Sequence, residues 1–212
     1  MSSHVRQRED PDEESQDIQP SGHLLQIYES ERVFLDTLEG FVSGGLRAGD
    51  GVIVVATEAH IERLELRLLA SGMDLEAMRF AEQYTAMDAE DVLSQFMVDR
   101  WPDKNLFQRL MTGLLARAAG SGRKIRVFGE MVAVLWQRGD HGATVRLEYL
   151  WHQLTEAVGF SLLCAYPKAG FVGETAKAIS ELIALHSGVV SAPPPRRKPV
   201  DGGLEIGGDA RP

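Results

Sequence analysis

The sequence predicts an α/β protein of three layers. A mostly parallel sheet of five or more strands would lie between helices on both faces. Three observations predict it. Short apolar, β-branched runs such as Val52–Ala56 (VIVVA) and Ile125–Phe128 read as buried strands, because parallel strands bury both of their faces. Longer segments with apolar residues at helical spacing separate those runs. A chain of 212 residues, 44% hydrophobic and 25% charged, is large enough to bury the core of one such domain.

Taken in order, residues 1–21 hold Glu9, Asp10, Asp12, Glu13, Glu14 and Asp17 and almost nothing apolar, so they read as a disordered acidic tail. His23–Tyr28 is a first strand. Ser30 caps a helix to Gly40 or further, with Val33, Phe34, Thr37, Leu38 and Phe41 on one face. Residues 44–50 lead out of it to the second strand, Val52–Ala56. Thr57 caps a helix with Ile61, Leu64, Leu68 and Leu69 inward, ending at Ser71 and Gly72. Arg79–Tyr84 is a third, more polar strand, nearer an edge. Asp88 caps a helix that Trp101 and Pro102 break, and Asp103 starts the next, with Leu106, Leu110, Leu114 and Leu115 on its stripe.

The fourth strand, Ile125–Phe128, stops at Gly129 and places Glu130 just past its end. Helix Met131–Gln137 follows, then a polar turn over Arg138–Gly142 and a long helix, Ala143–Val158. Ser161–Ala165 is a fifth strand, closed by Tyr166 and Pro167. A last helix spans about Gly173–His186. From Ser191 onward the chain is rich in Pro and Gly and reads as a linker or tail. The folded unit is therefore expected over 22–190.

The totals exclude several function classes. A net charge of -9 without a basic stripe disfavours nucleic acid and anionic membrane surfaces. Apolar runs stay well short of the roughly 18 residues of a spanning helix. The single cysteine, Cys164, excludes an internal disulfide and a cysteine-cluster metal site. With a polar start that lacks a signal peptide, this fits the cytoplasm. The Walker A pattern is absent, since Gly44–Gly49 lacks the lysine, and so is a Rossmann G-x-G-x-x-G. His60-Ile61-Glu62 matches half of a zinc-deaminase motif whose second half needs more cysteines. No G-x-S-x-G elbow occurs. His23, His60, His141, His152 and His186 are scattered, without metal-ligand spacing on a helix. The expectation is a protein that is not an enzyme, with no catalytic residues, cofactor or metal.

In open α/β sheets, ligands bind outside the carboxyl ends of the strands. Those ends read as Tyr28, Thr57 with Glu58, Tyr84, Gly129 with Glu130, and Tyr166. Aromatic walls, hydroxyls and one or two carboxylates suit a small organic ligand, while the lack of cations disfavours a phosphate-rich one. The plainer reading of each is structural: a tyrosine anchoring a strand end, or Glu130 serving the dipole of its helix. Cys164 reads as an inert small hydrophobe within an apolar strand, and Trp136 and Trp151 read as core.

His23 and Tyr28, Gly45-Leu46 with Gly49, Phe128-Gly129-Glu130-Met131, Glu148, Leu163-Cys164 with Tyr166-Pro167, and Leu185-His186-Ser187 occur in that order. Together they resemble the MEDS domain, a sensory domain of methanogens, methylotrophs and a dichloromethane regulator. The resemblance implies a cytoplasmic prokaryotic signal-input domain for simple hydrocarbon derivatives. It also implies a fold related to RecA-like ATPases without the phosphate loop. Its signature positions would be His23, Tyr28, Glu130, Glu148, Tyr166 and His186. No kinase or helix-turn-helix output segment is recognisable in the sequence. The signal is thus expected to pass to a separate protein such as a histidine kinase or an anti-sigma regulator. The alternative is a degenerate RecA-like module that binds nucleotide or oligomerises without hydrolysis.

Overall fold

A computed structural model describes residues 22–171, 180 and 183–190. The elements run in order as β1 (Gly22–Tyr28), α1 (Glu31–Arg47), β2 (Gly51–Ala56), α2 (Glu58–Ala70), α3 (Leu75–Phe80) and β3 (Tyr84–Asp88). Next come α4 (Ala89–Ser94), the short strands β4 (Met97–Val98) and β5 (Trp101–Pro102), α5 (Lys104–Ala119), β6 (Ile125–Gly129) and α6 (Met131–Gln137). Helix α7 (His141–Val158), β7 (Ser161–Pro167), a 3₁₀ turn at Lys168–Phe171 and β8 (Gly188–Val189) complete them.

Six strands form one sheet in the order β3-β2-β6-β7-β1-β8, and every pairing in it is parallel. The apolar runs explain the centre: every residue of β2 is buried, as are four of the five in β6. Helices α1, α2 and α3 cover one face through Phe34, Leu38, Phe41, Leu64, Leu68 and Leu75. On the other face, α4, α5, α6 and α7 bring in Val92, Phe107, Leu114, Met131, Leu147 and Trp151. The expected three layers are present. Among the described residues no helix is long and apolar enough to cross a membrane.

The caps expected at Ser30, Asp88 and Asp103 all accept hydrogen bonds from backbone N–H groups one turn on. Other boundaries differ from the sequence reading. Helix α1 continues to Arg47 because Phe41, Val42 and Leu46 extend its buried face past the glycines. Gly45 serves that packing: a Cβ there would lie 2.7 Å from Cδ of Arg126. The third strand is Tyr84–Asp88, not Arg79–Tyr84. Asp74 caps α3 and carries it through Phe80, and Glu82, with a φ of 52°, turns the chain into the strand. Helix α4 ends at Ser94 rather than at Trp101. The antiparallel pair β4–β5 follows, turned by Asp99 and Arg100 at φ 49° and 63°. The expected last helix, Gly173–His186, lies mostly outside the described residues, as do both tails.

Helix α2 follows β2 onto one face, and α6 follows the adjacent β6 onto the other. The chain therefore leaves the two strands in opposite directions, which opens a crevice at their carboxyl ends. At the amino end of β6, Arg126 is nearly buried. Its Nε donates to Oδ2 of Asp50 at 2.8 Å, and its Nη1 donates to the Phe41 carbonyl at 3.4 Å. Asp50→Ala would leave this guanidinium without its carboxylate. The expected cost is about 3–5 kcal/mol of unfolding free energy, read as a lower urea midpoint with an unchanged slope.

Candidate functional site

The sheet sorts the expected site residues into two clusters on opposite faces. The first fills the crevice between β2 and β6. The Glu130 N–H donates to the Val55 carbonyl at 2.8 Å, which fixes the residue at the strand end. Its Oε2 accepts from the Thr57 N–H at 2.9 Å and from the Thr57 hydroxyl at 3.3 Å. Its Oε1 lies 2.7 Å from Nδ1 of His60, which is 3.0 Å from the Thr57 hydroxyl. Glu130 holds the N-cap position of α6, yet its side chain makes no cap bond there. Both oxygens reach across to α2 instead. Phe34 stands between His60 and Tyr28, with ring centroids 4.7 Å from each. Burial, and secondarily the Glu130 charge, push the half-buried Tyr28 phenol up to about 12.

The second cluster lies between the sheet and α7. Alternation along the strands turns Leu25 and Ile27 of β1 toward α7, together with Leu162, Cys164 and Tyr166 of β7. The parallel register sets Leu25 opposite Cys164 and Ile27 opposite Tyr166. Glu148 enters from α7. The Tyr166 hydroxyl donates to its Oε1 at 2.5 Å. Its Oε2 lies 3.1 Å from Nε2 of His23 and 3.6 Å from Nε2 of His186. The His23 Nε2 is also 3.3 Å from Sγ of Cys164. Ser187 holds the incoming segment to β1: its N–H and hydroxyl both donate to the His23 carbonyl, at 2.7 and 2.9 Å.

Burial alone would raise the Glu148 carboxyl. Close contact with His23, the pull of His186 and the Tyr166 hydroxyl outweigh it and hold the group below its ordinary value. Burial pushes the Tyr166 phenol and the Cys164 thiol well up, and the Glu148 charge adds to both shifts.

A family model described as "MEthanogen/methylotroph, DcmR Sensory domain" matches residues 22–187. The chain belongs to the MEDS family. No curated protein sequence matches it. Membership makes this MEDS domain a sensory domain, and the matched span contains both clusters.

Of the residues expected at the strand ends or as signature positions, the MEDS domain brings Tyr28 and Glu130 together on the α1–α2 side. It gathers His23, Glu148, Tyr166 and His186 on the α7 side. Two others stand apart. Tyr84 opens its strand rather than closing it, so it sits at the opposite end of the sheet. There it is buried and donates to Glu65 at 3.1 Å. Burial, then Glu65, raises its phenol. Glu58 is exposed, and its backbone N–H donates to Oδ2 of Asp88 at 3.1 Å. Sequence reasoning missed His60 and Thr57 as partners of Glu130; it read Cys164 rightly as a buried thiol whose pKa is not lowered, but not that its sulfur faces His23. The available signal was strand spacing: Cys164 and Tyr166 are two apart and must share a face.

Two concavities stand out, one between α4 and α6 and one beside α7. One, of about 470 Å³, is lined by Glu90, Leu93, Arg100, Arg138 and Asp140. Its cations are already engaged: Arg138 pairs with Glu90, and Arg100 with Asp140 at 2.6 Å. The other, of about 530 Å³, is mainly apolar and runs between Trp101, Val145, Tyr149, Ala184 and Leu185. Arg146 also lines it, and its buried Nε has no hydrogen-bond partner among the described residues.

The raised Tyr28 phenol has a consequence at alkaline pH. The unfolded chain loses this proton near 10.0 and the folded chain near 12. Its contribution to stability is therefore complete below pH 10.0 and is lost as pH rises through 12. Phenolate absorbance during alkaline titration should show a step near 12 that Tyr28→Phe removes, while the steps of the more strongly raised Tyr84 and Tyr166 remain. Glu130→Gln should move that ionisation down by the smaller, electrostatic part only.

Proposed function

We propose that this MEDS domain is a non-enzymatic input module. It takes a small organic molecule, of the hydrocarbon-derivative class, into the apolar groove beside α7 and reports occupancy to a separate regulatory protein. A histidine kinase or an anti-sigma regulator fits that role. The observation that carries the reading is the continuity of groove and network. Leu185 lines the groove, and its neighbour His186 contacts Glu148. The volume lies in the range of small-molecule sites, and the lining is mainly apolar, with Arg146 and Tyr149 as polar members that can orient an acceptor atom.

The carboxyl ends of β2 and β6, where the sequence reading placed the ligand, support it less well. Both Glu130 oxygens are engaged by Thr57 and His60, so an entering molecule would have to break those contacts. The same carboxylate opposes a nucleotide, because it sets a negative group where phosphates would lie. The pair Glu130–His60 is likewise used internally rather than turned toward open space, which favours sensing over catalysis.

Coupling requires the ligand to favour one of two states of the segment carrying Ala184–His186, and the size of the response is limited by that difference in affinity. A panel of halogenated and oxygenated one- to four-carbon compounds, with ATP as a comparison, tests the reading by thermal shift. At a hundredfold excess over Kd, a true ligand adds about 2.7 kcal/mol. Val145→Trp, which fills the groove, should abolish that gain while leaving the unliganded melting temperature close to wild type. Stabilisation by ATP instead would favour the nucleotide-binding alternative.

A further inference from the structure

We infer that His23, Glu148, Cys164 and His186 form a closed tetrahedral site for a transition-metal dication of the zinc class. The inference stands apart from the groove reading and does not depend on it. Each residue offers one ligand atom, and the four atoms all lie within 4.8 Å of one another. They come from β1, α7, β7 and the segment before β8, so the fold has gathered donors that are remote in sequence.

The spacing suits an ion. Zinc bonds of about 2.0–2.3 Å to nitrogen, oxygen and sulfur set donor separations of about 3.3–3.8 Å around a tetrahedron. The separations of 3.1, 3.3 and 3.6 Å fall within or just below that range, and the remaining ones stay within 4.8 Å. A side-chain adjustment of at most about an ångström would bring all four donors to bonding distance of one ion.

Satisfaction points the same way. The side chain of Glu148 is fully buried, and its Oε2 has no hydrogen-bond partner among the described residues. It touches the imidazoles without being aligned for a hydrogen bond to them. A buried carboxylate oxygen aimed at two imidazoles and a sulfur is placed for a shared central cation. The Tyr166 hydroxyl holds Oε1 at 2.5 Å and so turns Oε2 toward the other donors, the outer-shell arrangement that orients metal-bound carboxylates.

Charge also balances. A thiolate and a carboxylate carry two negative charges and the imidazoles none, so a dication leaves the buried set neutral. On binding, the thiol proton and any proton held between Glu148 and the imidazoles leave to solvent. The mixed nitrogen, sulfur and oxygen donors favour zinc over magnesium or calcium, which take oxygen. The donors are buried together, which makes this a closed site rather than one with an open catalytic position.

The test uses the full chain without an affinity tag, treated with chelator and then titrated with Zn²⁺ or Co²⁺. The expected result is one ion per chain, with the intense visible bands of tetrahedral cobalt and a near-ultraviolet thiolate charge-transfer band. Cys164 is the single cysteine, so that band by itself locates the ion even if a variant misfolds. Cys164→Ser should abolish the charge-transfer band. Tyr166→Phe should weaken Zn²⁺ binding about 10–100-fold without removing a donor. A folded wild-type chain that takes up no stoichiometric ion would overturn the inference. So would a six-coordinate cobalt spectrum without the thiolate band, which would place the ion on surface carboxylates.

Discussion

A carboxylate sealed inside an apolar layer constrains everything around it. Glu148 projects from α7 into the space against β1 and β7, where an unpaired charge would cost several kcal/mol. Three requirements follow. Strand β1 must lie beside β7, so that His23 comes within reach. The side-chain phase of β7 must turn Cys164 and Tyr166, rather than Leu163 and Ala165, toward α7, because a one-residue slip would reverse it. The segment before β8 must return to the sheet to deliver His186. The topology, with the first strand inserted between β7 and β8, meets all three.

The sheet also separates two polar systems that the family signature runs together. Glu130, Thr57 and His60 close the crevice on one face, with Phe34 and Tyr28 beside them. Glu148, His23, Cys164, Tyr166 and His186 occupy the other face. Between them stand Val55, Phe128 and Leu163, which are almost completely buried. A disturbance in one system reaches the other through strand ends or helix shifts, not through direct contact. The groove beside α7 borders the second system through Leu185, and that adjacency is why the α7 side is the better place to look for an input.

Much of this was legible in the chain. VIVVA could only be a central strand, and Ser30, Asp88 and Asp103 announced their helices because short polar side chains satisfy the free N–H groups of a first turn. Glu130 was correctly placed past the end of β6. Tyr84 was misplaced because Arg79–Gln83 carries no strong periodicity of either kind, and the cap at Asp74 that makes Leu75–Phe80 helical is a single residue. The partners of Glu148 were illegible for a different reason. A local reading finds that Cys164 sits in an apolar strand and stops there. Its chemical character depends on the register with β1 and on a helix residue 16 positions earlier, and both are tertiary facts.

The strap made by Ser187 and β8 is slight: two residues pair with β1, at the outer edge of the sheet. It nonetheless carries the imidazole that completes the surroundings of Glu148. Without this segment the acid would lack one of the groups that face it. A slight edge contact thus helps to complete the charge environment of the interior. The outer edge of the sheet and a group that faces the buried acid are thereby only a few residues apart along the chain.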